Sequence, residues 1–484
     1  MTDTQTATQP PGAASRQPAA SARIGVAIAI ALALGCGVAL TWGRAGEVWN
    51  TGAFFDTDDA LRMVQVRDLL AGQAWFDMSV ARMDGPPGVF MHWSRVVDVP
   101  LALLMKLSGL FAPPATAEAL TRLAFPLLLL GALYLCVARL AHVIENGLAS
   151  QAAAVGLTFT MGPVFTQFSP GRVDHHAPQI VLLVLMSAAT LAAFEPSRAK
   201  LAAVSAALAA LSLSISVENL PFIVVLAAAQ PLAWILRGQE QAAAMRFYAL
   251  GLVAGVIGCF GATIGPDRWF AVACDAFSIA HAAAALAGSA ALLALAAVSM
   301  RLRSVPARLL AACLLAPLPV VALYLAAPAC FGGDPFVGLD PLVRAIWLDH
   351  VAEVQTLRDV AREKPSTALT IGAPVALAIV ATLIHAALSR GVLRARLLTL
   401  AALIAVGLAM TFWGVRVYSS VAPLAAVGGA LAATALARLI MPTSGLRPLA
   451  VALGCLPFSS FAYALAAPPD PPGACLLYTS DAAD

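Results

Sequence analysis

Thirteen stretches of this chain are apolar for about the length that a helix needs to cross a bilayer, roughly 20 residues at ~1.5 Å each. They run near 23–43, 119–140, 149–168, 177–194, 200–216, 219–236, 247–264, 280–300, 308–327, 367–388, 397–413, 417–437 and 447–467. Inside hydrocarbon every backbone N–H and C=O must be satisfied within the segment itself, so windows of this length admit helices and little else. The expected fold class is therefore an all-α polytopic membrane protein. Composition agrees: 60% of the 484 residues are hydrophobic and 11% charged, too little polar surface for a water-soluble domain. A net charge of +3 makes no case for nucleic acid as a partner.

Lysine and arginine set the expected orientation. With the N-terminus inside, the short inner loops read RLAHVIENG, EPSRAK, RGQEQAAAMR, RLRSVPAR, SRGVLRAR and RLIMPTSGLR, all of them basic. Acidic residues gather in the segments left outside: 44–118, 169–176, 265–279 and 328–366. Residues 1–22, polar and rich in Pro and Ala, read as a disordered cytoplasmic tail. The membrane domain is expected over 23–467, followed at 468–474 by the start of a truncated outer segment. The last ten residues, CLLYTSDAAD (475–484), read as an in-frame translation of a sequencing adapter.

Two outer loops are far longer than ordinary connections. The first, 44–118, holds an amphipathic pattern in which Leu61, Val64, Leu69 and Leu70 suit a helix at the membrane interface, with Trp75 and Trp93 as anchors. The second, 328–366, also reads as helical. Five of the eight cysteines lie in apolar stretches as small packing residues, whereas Cys274 and Cys330 fall in outer loops where they can pair.

The chemistry-bearing residues collect on that same outer face. Asp56, Asp58 and Asp59 stand in the first long loop, and Glu353 in the second. Between them, SPGRVDHHAP places Arg172, Asp174, His175 and His176 at the mouth of an apolar span, where charge is costly without a task. Asp174 and His176, one residue apart, can reach a common ion from an extended segment, and such O and N donors suit Mg²⁺ or Mn²⁺. Arg416, in FWGVRVYSS at the outer end of a span, is a planar cation suited to phosphate. Glu218, in SISVENLPF, reads as a turn residue between two spans that can also line a cavity.

Taken in order, these motifs resemble those of the catalytic subunit of oligosaccharyltransferase, a membrane glycosyltransferase of the GT-C class with thirteen spans and large first and fifth outer loops. DTDDALRMVQVRDLLAG resembles the family's first acidic motif, which puts a metal-binding Asp at Asp58. GRVDHH resembles the second, an Asp-x-Asp or Asp-x-His pattern, and puts ligands at Asp174 and His176. HVAEVQ resembles the fifth-loop motif that ends in an acceptor-orienting Glu, here Glu353. RVYSSVAP resembles the stretch whose Arg meets the lipid-linked pyrophosphate, here Arg416. Two departures stand out: no Thr or Ser starts the fifth-loop motif, and the Trp-Trp-Asp motif that recognises an acceptor sequon is missing from these residues.

The resemblance implies a GT-C bundle in a bacterial inner membrane. It would move a sugar or oligosaccharide from a polyprenyl-phosphate or -pyrophosphate carrier to a protein or glycan acceptor at the periplasmic face, with Mg²⁺ or Mn²⁺. Asp58, Asp174 and His176 would hold the metal, Glu353 would orient the acceptor, and Arg416 would bind donor phosphate. Two alternatives stay open. One is a metal-independent GT-C enzyme that uses a polyprenyl-monophosphate sugar with a first-loop Asp as base. The other is a non-enzymatic lipid-carrier flippase or polysaccharide exporter.

Overall fold

Apolar windows this frequent leave room for helices and short joints, and that is what the chain forms. The computed structural model describes residues 19–83, 88–331, 340–346, 348, 351 and 354–470, with side chains from residue 23 onward. The helices of the first half are α1 (Ala19–Leu40), α2 (Trp42–Thr51), α3 (Thr57–Leu70), α4 (Arg95–Ser108), α5 (Pro114–Ile144), α6 (Leu148–Phe159), α7 (Gly162–Thr166), α8 (His176–Ala192), α9 (Leu201–Ile215) and α10 (Leu220–Arg237). The second half holds α11 (Gln239–Thr263), α12 (Ile279–Val298), α13 (Val305–Leu315), α14 (Leu318–Ala326), α15 (Pro341–Ile346), α16 (Leu357–Glu363), α17 (Pro365–Leu388), α18 (Gly391–Met410), α19 (Tyr418–Ile440), α20 (Arg447–Cys455) and α21 (Ser460–Ala466). Strands β1 (Ser79–Val80) and β2 (Val89–Phe90) pair antiparallel in the first loop, Ser79 opposite Phe90.

Among the described residues nine helical segments are long and apolar enough to cross a membrane, and α20 with α21 makes a tenth that is bent by 71°. Three shorter apolar helices, α6, α8 and α9, fill the remaining windows. All thirteen apolar windows thus become helix. At the centre, α19 buries sixteen of its residues, from Tyr418 to Ala437, while α14 at the rim buries none.

Water cannot drive helices together inside a bilayer, so close packing must, and small residues permit it. Gly251 and Gly255, one turn apart on α11, face Ala203, Ala207 and Ala210 of α9. A Cβ on Gly251 would stand 2.5 Å from the Ala203 carbonyl oxygen, so the two backbones touch. Where α17 crosses α19, a Cβ on Gly428 would likewise lie 2.5 Å from Thr382 Oγ1.

The first long loop differs from its expected form. The buried face of α3 is Asp59, Arg62, Met63, Gln65 and Val66, whereas Leu61, Val64, Leu69 and Leu70 are only half-buried. The loop helix that turns bulky apolar residues outward is α4, with Val99, Leu103 and Leu107 exposed. The Trp93 ring lies under the Arg62 guanidinium at 4.5 Å. The reason is a buried ion network, Arg62 Nη1 to Asp98 Oδ1 at 2.9 Å and Arg95 Nη1 to Asp98 Oδ2 at 3.0 Å, which pulls α3 onto α4. Breaking such a buried network by removing one partner costs about 3–5 kcal/mol. Met63, Val66, Val97, Leu101, Phe125, Val173 and Ile215 form a small apolar core of their own beneath it. Cys274 and Cys330 do pair, joining the α11–α12 connection to the turn after α14.

Candidate active site

The acidic run Asp56-Thr57-Asp58-Asp59 begins α3, and helix capping explains two of its three carboxylates. Asp56 Oδ1 accepts from the N–H groups of Asp58 and Asp59 at 3.0 and 3.1 Å, and Asp59 Oδ2 accepts from Asp56 N–H at 3.2 Å, a reciprocal capping box. The other oxygen of Asp59 reaches across the loop to accept from Val173 N–H at 2.6 Å and Asp174 N–H at 3.0 Å. Asp59 therefore braces the first loop against the 169–176 segment. Asp58, half-buried in the first turn of α3, plays no part in the cap beyond its N–H.

The 169–176 segment turns at Gly171, whose φ of +92° suits glycine; its N–H donates to Arg122 O at 3.1 Å. Arg172 is buried. It pairs with Asp56 and, at 2.8 Å, with Asp174 Oδ2, lies 4.9 Å over the Phe55 ring, and donates Nε–H to Gln167. Burial alone would push the Asp174 carboxyl up, but Arg172, His176 and His175 outweigh it and hold it below the usual carboxylate range. Burial, with the charges of Asp174 and Asp56, pushes the Asp59 carboxyl well above that range. Of these two buried acids, Asp174 is the one that stays ionised.

From Asp174 the chain turns into α8, with His176 N–H donating to Asp174 Oδ1 at 2.9 Å. Pro178 follows inside the first turn, where a missing N–H costs nothing. His175 and His176 stack with ring centroids 4.4 Å apart, and both face Glu218. His176 Nδ1 lies 3.1 Å from Glu218 Oε2, and His175 Nε2 lies 3.7 Å from Glu218 Oε1. Arg416 Nη1 approaches the same Oε1 at 3.8 Å, and His176 Nε2 stands 3.9 Å from Asp174 Oδ2. Among the described residues, His175, His176 and Glu218 form a group of three potential ligands whose donor atoms all lie within 4.8 Å of one another. Two imidazoles and a carboxylate are a donor set suited to a borderline divalent ion. His175 Nδ1, buried and without a hydrogen-bond partner, leaves that ring's other nitrogen as the one turned to the cluster.

Glu218 owes its place to residues the sequence reading did not single out. It sits in a one-turn 3-10 helix, Val217–Asn219, where Ser216 Oγ accepts from the Glu218 N–H. Asn219 Nδ2 donates to the Gln179 carbonyl at 2.9 Å and to Ser212 Oγ at 3.0 Å, while Gln179 Nε2 donates to Ser212 O and Ser216 O. Gln179 lies one turn below His176, so this buried network locks the Glu218 turn onto the helix that carries the histidines. Three polar residues in apolar spans were the available signal.

Two cavities flank the cluster. A cleft of about 480 Å³ is lined by Arg344, Gln355, Asp359, Arg362, Trp413 and Arg416. It is closed by two main-chain bonds between the second long loop and the α18–α19 joint: Leu357 N–H to Thr411 O at 2.8 Å, and Val415 N–H to Gln355 O at 2.9 Å. The other cavity, about 100 Å³, lies beyond His175 and is walled by the β1–β2 hairpin and the α11–α12 connection. The structure thus joins His175, His176, Glu218 and Arg416, and ties Asp56, Asp59, Arg172 and Asp174 into the adjoining brace. Glu353 lies outside the described residues.

No protein-family model matches the chain, and no curated protein matches it in sequence. Solved structures do match it in fold. The archaeal oligosaccharyltransferase AglB from Archaeoglobus fulgidus, in complex with an inhibitory peptide and a dolichol-phosphate, superposes with a TM-score of 0.67 at 14% identity, covering 93% of this chain and 57% of that one. The Archaeoglobus fulgidus enzyme tethered to an acceptor peptide with an NVT sequon gives 0.62 at 12% identity, over 91% and 55%. The same enzyme in complex with Zn and sulfate gives 0.58 at 14% identity, over 92% and 54%. The chain spans little more than half the length of these structures. Over the matched residues its fold is that of the archaeal oligosaccharyltransferase.

Proposed function

We propose that this chain is a membrane glycosyltransferase that moves a sugar or oligosaccharide from a polyprenyl-phosphate or -pyrophosphate carrier to an acceptor, a protein or a glycan. The observation that carries the reading is the convergence of His175, His176, Glu218 and Arg416 from three separate connections onto one point beside an arginine-lined cleft. Arg416 would take a donor phosphate oxygen, with Arg344 and Arg362 lining the same cleft. Glu353 keeps the acceptor-orienting role that its motif implies.

His175, His176 and Glu218 would hold the metal, with Asp174 and Asp58 in the roles that their motifs imply. The two imidazoles favour Mn²⁺ over Mg²⁺, which prefers an all-oxygen shell. When bound, a divalent ion supplies charge neutralisation to a departing phosphate. The protein's own part is orientation: Arg172 fixes Asp174, Asp174 fixes the start of α8, and Gln179 with Asn219 fixes Glu218. The acidic outer loops, the basic loops at the other helix ends and the Cys274–Cys330 disulfide support a site on the oxidising, periplasmic side of a bacterial inner membrane.

A second reading draws on one observation: Asp174 already faces the Arg172 guanidinium at 2.8 Å, so its charge is answered without an ion. It is the metal-independent enzyme on a monophosphate sugar, with Asp58 as base. Release of carrier phosphate from a lipid-linked sugar in proteoliposomes, with and without EDTA, separates the two. Loss of release with EDTA and recovery with Mn²⁺ support the metal-assisted enzyme. Release that EDTA leaves unchanged selects the second reading, and no release from any lipid-linked donor sinks both.

A further inference from the structure

We infer that the smaller cavity beyond His175 is a binding site for a single sugar ring, which rests on the proposed transferase reading and names the part of the donor held there. Its walls come from elements far apart in the chain. One is the β1–β2 hairpin with Phe90, His92 and Trp93, and the other is the α11–α12 connection with Arg268 and Asp275. Trp75 Nε1–H donates to Ala262 O at 2.6 Å and pins the first wall to the end of α11. The Cys274–Cys330 disulfide anchors the second. A binding space held from both sides needs no ordering when a ligand enters.

The lining has the mixture that a pyranose requires. A sugar ring presents C–H faces to aromatic planes and a rim of hydroxyls to planar hydrogen-bonding groups. Trp93 supplies an aromatic surface 6.2 Å from the His175 ring, and Phe90 another, with the Arg268 guanidinium 3.8 Å above it. Asp275 and Arg268 offer an acceptor and donors for hydroxyl pairs. His92 lines the same space, and its ring nitrogens can pair with a hydroxyl. A water needs about 10–15 Å³ of such space, so about 100 Å³ suits one ring. His175 forms the shared wall, so a ring seated here lies directly beside the His–Glu cluster.

Binding can be read without transfer. The full chain in detergent is titrated with the methyl glycosides of glucose, N-acetylglucosamine and glucuronic acid, and tryptophan fluorescence is followed. The expected result is saturable quenching by at least one glycoside, lost in Trp93→Phe and weakened tenfold or more in Asp275→Asn. A melting curve for each variant guards against misfolding, and the near-isosteric Asp275→Asn keeps the test alive should Trp93→Phe unfold. No saturable response to any of the three glycosides overturns the site, as does binding unchanged in Asp275→Asn. Glycoside binding by a chain inactive on every lipid-linked donor would sink the transferase and leave the sugar site standing. Active transfer without glycoside binding would do the reverse.

Discussion

At the end of the bundle away from the His–Glu cluster, Glu145 closes α5, His385 stands in the last turn of α17 and Arg438 in the last turn of α19. His385 Nε2 lies 3.0 Å from Glu145 Oε1, and Arg438 pairs with the other oxygen. The same residue types therefore meet at both ends of the molecule: a glutamate between imidazole and guanidinium. At the far end one histidine and one arginine take one oxygen each, and the result is a clamp across three helix ends. At the near end two histidines and Arg416 share one carboxylate, an ionised aspartate stands behind them, and cavities open on both sides. What separates the two ends is access: the near cluster borders two cavities through His175 and Arg416, where a ligand can reach it.

The sharpest way to break that contrast is to remove the shared carboxylate. Glu218→Gln should cost about three orders of magnitude in transfer, the size seen when charge stabilisation at a reacting centre is lost. Its melting temperature should hold, and Mn²⁺ binding by titration should fall with transfer. A variant that transfers normally would make the near cluster a second clamp. Arg416→Lys comes next, since a point charge cannot reproduce a planar two-point contact; about a hundredfold loss is expected, seen mainly in KM for the lipid-linked donor.

Gln179→Leu sharpens the comparison further, because it touches neither ligand nor cavity. Losing the Gln179 Nε2 bonds to the Ser212 and Ser216 carbonyls loosens the Glu218 turn and should weaken Mn²⁺ affinity about 10- to 100-fold, as outer partners of metal ligands do. An unchanged affinity would show that the turn holds itself. The smallest effect on activity is expected at the far end, where Glu145→Gln should leave transfer intact and lower stability by about 1–3 kcal/mol. The sign with pH follows from Glu145. Burial raises its pKa, but His385 and Arg438 outweigh burial and bring it below the ordinary 4.5. A carboxyl with a depressed folded pKa stabilises above the unfolded value and loses that contribution as pH falls through the folded one. The difference in melting temperature between wild type and Glu145→Gln should therefore be full above about pH 5 and shrink below 4.5.

Much of the architecture was legible in one dimension. Each apolar window became a helix because hydropathy over ~20 residues is a local property and a bilayer accepts little else. His175 and His176 were visible for the complementary reason, polar groups at the mouth of an apolar span. The interfacial helix was misplaced because the half-buried leucines of α3 look amphipathic unless Arg62 and Asp98, 36 residues apart, are known to pair in the interior. Asp56 and Asp59 read as ligand candidates since a capping box and a metal motif both begin with acids.

The thirteen apolar helical segments, their order and the gathering of Asp, His and Arg at one set of connections follow from composition and period alone, whereas three of those segments are shorter than a full span. Which of those groups meet was decided only by the packed bundle. Glu218 lies 42 residues from His176, and Gln179 lies 40 from Asn219. A hydrogen bond or ion pair across such a distance leaves no mark in local sequence. It exists because the packed bundle brings α8, α9 and α10 near enough for a one-turn joint to face the histidines, and that nearness belongs to three-dimensional packing.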